Sequence, residues 1–306
     1  MIRRRHQVGA LIALGVAGLA GYATLAEPRS LRVRQALISP PGMPAELDGL
    51  RLAFLSDFHV GSAHSRAMTR KAFEAIAADP PDIVLLGGDY FDNGNWQGNL
   101  NAFDDLAAFP HVAAVLGNHD HRHGSESVQT IASELRKRGA RVLVNERTEF
   151  SIRGRNVAIA GVDDPYTHHD DLTAALRPNG SGPTTPLILL AHAPTIADTL
   201  PVGGAAIVLS GHTHGGQIRL SPAKRITPLD SAWYLDRVFG RPISRLQRGF
   251  HWERGAVFYV ANGIGTTRLP VRLGAPPEIL IVYLSAIPPH PDAPCDAVKR
   301  YVDVLG

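Results

Sequence analysis

The sequence predicts an α/β fold whose working residues lie along one edge of its sheets. Three observations carry this. Short apolar runs of strand length recur: LRLAFL at 50–55, IVLL at 83–86, VAAVL at 112–116, a run at 187–190 and AAIVL at 205–209. Each of these runs ends in a polar cluster. Segments with helical spacing stand between several of them. Strand, polar end and helix in repetition is the rhythm of an α/β protein, and in such folds ligands gather outside the carboxyl ends of the strands.

In chain order, 29–38 reads as a first strand and 40–48 as a loop. Strand 50–55 ends at Ser56-Asp57. The stretch 66–78 has helical spacing and stops before Pro80-Pro81. Strand 83–86 ends at Gly87-Gly88-Asp89, and a short helix over 100–108 follows. Strand 112–116 ends at Gly117-Asn118-His119-Asp120, ahead of an amphipathic helix at 125–138. Strands at 142–144, 150–152 and 157–160 and a short helix at 170–176 come next. Strand 187–190 ends at Ala191-His192, strand 205–209 ends at SGHTHGG, and 257–260 and 279–284 complete the sheets.

The chain has 306 residues, enough for a sizeable core, and its 44% hydrophobic and 19% charged content is that of a globular protein. Its one cysteine, Cys295, excludes a disulfide framework or a thiolate metal site within the chain. The net charge of +3 equals the charge of Arg3, Arg4 and Arg5, so the remainder is neutral. Within that remainder, 219–254 holds eight basic and three acidic residues, with Trp233, Tyr234, Phe239, Phe250 and Trp252 interleaved. This reads as a basic, cap-like insertion near a site, facing phospholipid head groups or an anionic substrate, and gives no reason to expect nucleic acid.

Residues 1–26 form a unit of their own. From Val8 to Ala26 no residue is charged, 19 in succession, enough to cross a bilayer as a helix at about 1.5 Å per residue. The arginines keep the N-terminus cytoplasmic and put the rest outside, on a retained signal-anchor. Small residues at 21–26 offer the alternative of cleavage to a secreted or periplasmic form. The expected organisation continues with a linker and first strand at 27–48, a main domain at 49–285 and a C-terminal tail at 286–306.

The strand ends supply the chemistry. They are SDFHVG (Asp57, His59), GGDYFDN (Asp89), GNHDH (Asn118, His119, Asp120), AHAP (His192) and SGHTHGG (His212, His214). All the donors are oxygen or nitrogen, which suits zinc, manganese or iron, and the number of imidazoles disfavours magnesium alone. Seven ligands from five strand ends exceed one tetrahedral site. With one bridging carboxylate they suit two ions about 3.5–4 Å apart. In a strand or extended turn, residues i and i+2 point the same way, so Asp57 and His59 can meet one ion, and His212 and His214 two adjacent ones. Small neighbours leave room for ions and substrate.

Taken in order, these five blocks resemble the calcineurin-like metallophosphoesterases, whose signature runs D-x-H, G-D, G-N-H-D/E, H and G-H-x-H. The resemblance covers residues 50–284, roughly, and every block is present. It implies a four-layer αββα sandwich with the dinuclear site at the strand C-terminal ends. It implies one ion held by Asp57, His59, Asp89 and His214 and a second by Asp89, Asn118, His192 and His212, with Asp89 bridging. His119 is then the catalytic imidazole and Asp120 the residue that orients it. The stretch GIGTTRLPVRLGAPPEI at 263–279, GVDDP at 161–165 and the apolar N-terminus are similar to a bacterial membrane-associated subgroup described as like UDP-2,3-diacylglucosamine hydrolases. An outward-facing enzyme would not meet a cytoplasmic nucleotide-lipid, so that substrate is the weaker part of the likeness.

The resulting expectation is a two-metal phosphodiesterase acting on a lipid-linked or other membrane-proximal phosphodiester or pyrophosphate. A phosphomonoesterase or nuclease on the same site, and a non-catalytic membrane scaffold, are the alternatives. Arg268, His121 and Asp92 are candidate substrate contacts, with His123 beside His121. Asp163 and Asp164 read as a turn or helix cap. A metallo-β-lactamase-like site would need H-x-H-x-D-H, and here Gly215-Gly216-Gln217-Ile218 follows His214.

Overall fold

The computed structural model describes residues 2–92, 96–122, 124–178, 187–220, 244–292 and 297–305. The apolar runs form two sheets laid face to face. The first has the order β13-β1-β12-β2-β3-β4-β5 and the second β10-β11-β9-β8-β7-β6. In the first sheet β2 (Arg51–Leu55), β3 (Ile83–Leu86), β4 (Val112–Ala114) and β5 (Ala140–Val142) run parallel. In the second, β7 (Arg155–Gly161), β8 (Ile188–Leu190), β9 (Ile207–Ser210) and β11 (Ala256–Val260) run parallel. Strands β6 (Glu146–Ile152) and β10 (Gly249–Glu253) close its two edges antiparallel.

Alternation along each strand separates the cores. Leu52 and Phe54 of β2 point between the sheets, where they meet Leu85, Ile159, Leu190, Leu209 and Tyr259. Ala53 and Leu55 point the other way, onto the helices α1 and α2 of the domain, Ala63–Ala77 and Ser125–Lys137, and the 3-10 turns of Gln97–Ala108. The outer face of the second sheet is covered by the short helix Leu172–Leu176 and the turn Pro194–Asp198, through Ala175, Ile196 and Ala197. Helix, sheet, sheet and helix make the four-layer α/β sandwich that the sequence implies. Helix α1 of the domain starts at Ser62, whose hydroxyl accepts Ser65 N while the Ser65 hydroxyl accepts Ser62 N, a reciprocal cap.

Some boundaries differ from the sequence reading. The helix expected at 100–108 is a longer run of 3-10 turns, and the strand expected at 142–144 sits two residues earlier. The 286–306 segment is more than a surface tail. Its strand β13 (Val302–Leu305) pairs antiparallel with β1 (Arg32–Ile38), because β1 has a free edge beyond its parallel partner β12 (Glu278–Leu284). The first strand expected within 27–48 is β1 itself. Cys295 and residues 221–243 of the basic segment lie outside the described residues.

The N-terminal helix Ile2–Gly21 runs into a π-helical turn, Tyr22–Ala26. One span here, Gly9–Arg29, is long and apolar enough to cross a membrane. Leu11, Ile12, Leu14 and Val16 along it are exposed, which suits a lipid environment and not the packed core of a soluble domain.

Truncating the core should be costly where truncating the sheet's exposed strand is not. Leu52→Ala removes a fully buried side chain between the sheets and should lower unfolding free energy by about 2–5 kcal/mol. Val33→Ser, on β1 and 48% exposed, should stay within about 0.5 kcal/mol. Urea unfolding of both variants measures the contrast.

Candidate metal centre

Because the central strands are parallel in each sheet, β2, β3, β4, β8 and β9 all end at one edge. That edge carries Asp57, Asp89, Asn118, His192 and His212, with His59 and His214 two residues beyond the first and last. All except His212 are buried. Asp57, His59 and His214 offer donor atoms within 4.8 Å of one another, and so do Asp57, Asp89 and His192.

The pairs one residue apart converge by a different device from an extended strand. Asp57, His59, Asp89, His212 and His214 all have left-handed backbone, with φ of 53°, 44°, 55°, 68° and 51°. Side chains other than glycine pay roughly 1–2 kcal/mol for that region, so such a cluster marks a place where geometry is imposed. Between Asp57 and His59 the chain throws Phe58 into a ring cluster with Phe73, Tyr90 and Phe103. That packing anchors the kink. Gly211 is required at the facing loop, since a Cβ there would overlap the Asp57 carboxylate.

The donors face each other across short gaps. Asp89 Oδ2 lies 3.4 Å from His59 Nε2 and 3.3 Å from His192 Nε2, so this one oxygen stands between two histidines. On one side, His59 Nε2 lies 3.0 Å from His214 Nε2, which is 3.6 Å from Asp57 Oδ1. On the other, Asn118 Oδ1 lies 3.2 Å from His192 Nε2 and 2.8 Å from His212 Nδ1. His192 donates from Nδ1 to Gly87 O at 2.7 Å, which fixes the tautomer and leaves Nε2 as a donor atom for a cation. Asp57 is aimed by the Ser56 hydroxyl at 2.6 Å and by His212 N at 2.8 Å.

Electrostatics fits cations. Burial pushes the Asp57 carboxyl up to about 6, and the neighbouring Asp89 adds to the rise. Burial drives His59 down to about 3; it takes His212 to about 3 as well, helped by His192. Burial would raise Asp89, but His192, His119 and His59 hold it well below the usual carboxylate range. Burial holds His59, His212 and His214 neutral. It would lower His192 too, but Asp89, Asp57 and Asp164 raise that ring well above the usual imidazole range, so a cation there would replace its proton. Such a set of oxygen and nitrogen donors is what divalent ions require. The residues therefore fit two ions, one on each side of Asp89.

The catalytic block departs from the sequence expectation in one respect. Asp120 does not touch the His119 ring. Its carboxylate accepts Asp89 N at 3.0 Å, Gly117 N at 2.9 Å and Tyr90 N at 3.0 Å. It binds two ligand loops together through their backbone, because its side chain turns back toward the start of its own short helix, Asn118–His121. Burial, with Asp89 nearby, raises it to about 7. The carboxylate that faces His119 is Asp92, whose Oδ1 is 3.4 Å from His119 Nδ1; Arg122 Nη1 is 3.3 Å from the same nitrogen. Asp92 is thus placed where it could orient that ring.

The remaining candidates separate. His121 Nε2 lies 2.7 Å from Asp163 Oδ1, and its ring stacks on His169 at 4.2 Å. Asp164 caps the turn Pro165–Thr167, as a turn reading expects. Arg268 stands exposed on a loop outside the buried donors. His123 lies outside the described residues. In the basic segment Arg219 donates to Gly215 O, while Arg245 pairs with Asp198 and Glu253. Sequence reasoning missed Tyr166, whose ring lies 4.4 Å from that of His212, and Arg272, a fully buried arginine beside His214. The second of these stood in the quoted 263–279 stretch, where Arg268 drew attention instead.

Fold and donor set define a metal-dependent hydrolase. The model of the calcineurin-like phosphoesterases matches residues 50–216. YpbG of Bacillus subtilis is 30% identical over 75% of this chain and 81% of its own length. Phosphodiesterase YaeI of Escherichia coli is 30% identical over 93% of this chain and 100% of its own length. The transmembrane protein with metallophosphoesterase domain of Danio rerio is 30% identical over 92% of this chain and 63% of its own length. The chain belongs to the calcineurin-like phosphoesterase family, and it is a metal-dependent phosphoester hydrolase.

Two consequences of pH follow. Asp57 must be ionised to hold a cation, so metal affinity should fall as pH drops through about 6. In the metal-free protein its raised pKa stabilises the fold below the ordinary carboxylate range, and this is lost as pH rises through about 6. Bound cations remove that loss. The gain in Tm on loading Mn²⁺ should therefore be larger at pH of about 7.5 than at about 5. Thermal melts of stripped and loaded protein test this, and equal gains would remove Asp57 from the ligand set.

Proposed function

We propose that the protein is a phosphodiesterase acting on a membrane-proximal phosphodiester, with His119 as its general acid. The observation that carries this reading is Asp89 Oδ2, 3.4 Å from His59 and 3.3 Å from His192, shared between two donor sets. In this reading Asp57, His59, Asp89 and His214 hold one ion and Asp89, Asn118, His192 and His212 the other. Two such ions supply Lewis acidity and lower the pKa of water. The likeness to phosphodiesterase YaeI over its whole length supports a diester, and the apolar span Gly9–Arg29 supports a substrate at the membrane. Arg3, Arg4 and Arg5 favour a cytoplasmic N-terminus with the domain outside.

His119 is held for proton transfer. Its ring packs edge-on to His59 at 4.5 Å, and His119 N donates to Asp89 Oδ1 at 2.8 Å. Burial would raise Asp92, but the His119 contact and nearby cationic groups lower it, so it stays ionised. An ionised Asp92 accepts the proton on Nδ1 and stabilises the imidazolium, whose Nε2 proton is then the one given to the departing alkoxide. His121, paired with Asp163, is a candidate contact for the rest of the substrate.

Hydrolysis of bis-p-nitrophenyl phosphate against p-nitrophenyl phosphate tests the reading, using full-length protein in detergent with Mn²⁺, Zn²⁺ or Mg²⁺. The diester should be preferred and Asp89→Ala should abolish turnover. His119→Ala should cost about 10²–10⁴-fold in kcat with metal content retained. Asp92→Asn should cost about tenfold to a hundredfold. Preference for the monoester would replace the diesterase by a phosphomonoesterase; loss of metal from His119→Ala would remove the acid assignment.

A further inference from the structure

Arg272 is the bulkiest fully buried side chain among the described residues, and nothing in the reaction calls for it directly. Its guanidinium meets carbonyls. Nε donates to Gly265 O at 3.1 Å, Nη1 to Ala275 O at 2.7 Å, and Nη2 to Asn262 O at 2.8 Å and Gly263 O at 3.2 Å; Nη2 also reaches Gly265 O. Among the described residues no carboxylate forms an ion pair with it. A buried cation without a paired anion is costly, so its persistence asks for a reason.

The reason lies in what those carbonyls hold. The turn they form closes on the first strand end: Ile264 N donates to Ser56 O at 3.0 Å and Gly265 N to Asp57 O at 2.7 Å. Gly263, at φ of 73°, packs so close that a Cβ there would come within 2.6 Å of Asp57 Cβ. The same Nη2 sits 3.4 Å from His214 Nδ1, the ring nitrogen other than the one facing His59. One planar fork therefore braces Asp57 through the backbone and packs against the ring of His214. Both belong to the same donor set, and neither belongs to the set of Asn118, His192 and His212.

The fork is itself held from the root of the N-terminal helix. Arg272 N donates to Ala23 O at 2.9 Å, and Ala275 N donates to Glu27 Oε1 at 2.7 Å, across 248 positions of sequence. Ala23 and Glu27 are buried. The path from helix root to metal donors is Glu27, Ala275, Arg272, and then Asp57 and His214, with no gap in it.

We infer that Arg272 and Glu27 are positioning residues that make the root of the N-terminal helix part of the metal centre, serving the ion held by Asp57, His59, Asp89 and His214. This rests on the two-ion assignment above. A cut between Ala23 and Glu27 would take away the Ala23 acceptor, so this link requires the chain to stay intact from Ala23 onward.

The test is a Mn²⁺ titration of full-length protein in detergent, by calorimetry and by electron paramagnetic resonance. Wild type binding two ions upholds the assignment on which the inference rests. Arg272→Lys keeps the charge and removes the planar fork. It should weaken one ion about tenfold to a hundredfold and leave the other unchanged, as loss of a partner behind a ligand does. Glu27→Leu keeps the bulk, removes the acceptor of Ala275 N, lies further from the ions, and should weaken the same one by a smaller factor. It decides the matter if Arg272→Lys does not fold. Unchanged affinities for both ions in a folded Glu27→Leu overturn the inference, and so does equal weakening of both, which is plain damage to the fold.

Discussion

Three carboxylates, Asp57, Asp89 and Asp120, are buried within reach of four histidines at one sheet edge, and the structure around them exists to keep them there. Like charges brought together in a dry volume repel strongly. The protein offsets that repulsion with what lies close by: Asp120 takes three backbone N–H groups, Asp57 takes a hydroxyl and a backbone N–H, and Asp89 takes His119 N and sits among imidazoles. Divalent cations complete the balance. The left-handed backbone at five candidate donors is the local cost of that convergence.

The two-sheet architecture is what can meet such a cost. Five strand ends from two sheets deliver donors to one volume only because the inter-sheet core fixes the sheets against each other. Leu52, Phe54, Leu190 and Leu209 lie in that core within a few residues of Asp57, His192 and His212. Packing immediately behind the ligands leaves the strained turns little room to relax.

Much of this was legible in the sequence, for a physical reason. Strand ends in a parallel sheet share an edge, so donors that follow apolar runs must meet, whatever the exact turn geometry. The same logic fails for groups that act across space. Asp120 follows His119 in sequence, yet on a single helical turn adjacent side chains diverge, and Asp92 from another loop faces the imidazole instead. Strands β10 and β13 were missed because edge strands carry weak patterns. Arg272 and Glu27 were missed because their partners are carbonyls and amides, which every residue has, and sequence leaves no trace of which ones they meet.

The two arginines of the 263–279 stretch show why a charge in a motif is a poor guide on its own. Arg268 has the look of a phosphate ligand, and it stands exposed. Arg272 is fully buried, and burial brings it down to about 10 despite the carboxylates of Asp57, Glu278 and Glu27. A protein keeps a cation under those conditions only when its shape does what no neutral side chain can. The planar guanidinium ties several carbonyls of one turn at once, while the backbone N–H of the same residue reaches Ala23 O at the foot of the apolar helix. Lysine would carry the charge without the plane, and methionine the volume without the donors. The root of the apolar N-terminal helix and the candidate metal donors thus meet at one buried arginine, through its backbone on one side and its guanidinium on the other.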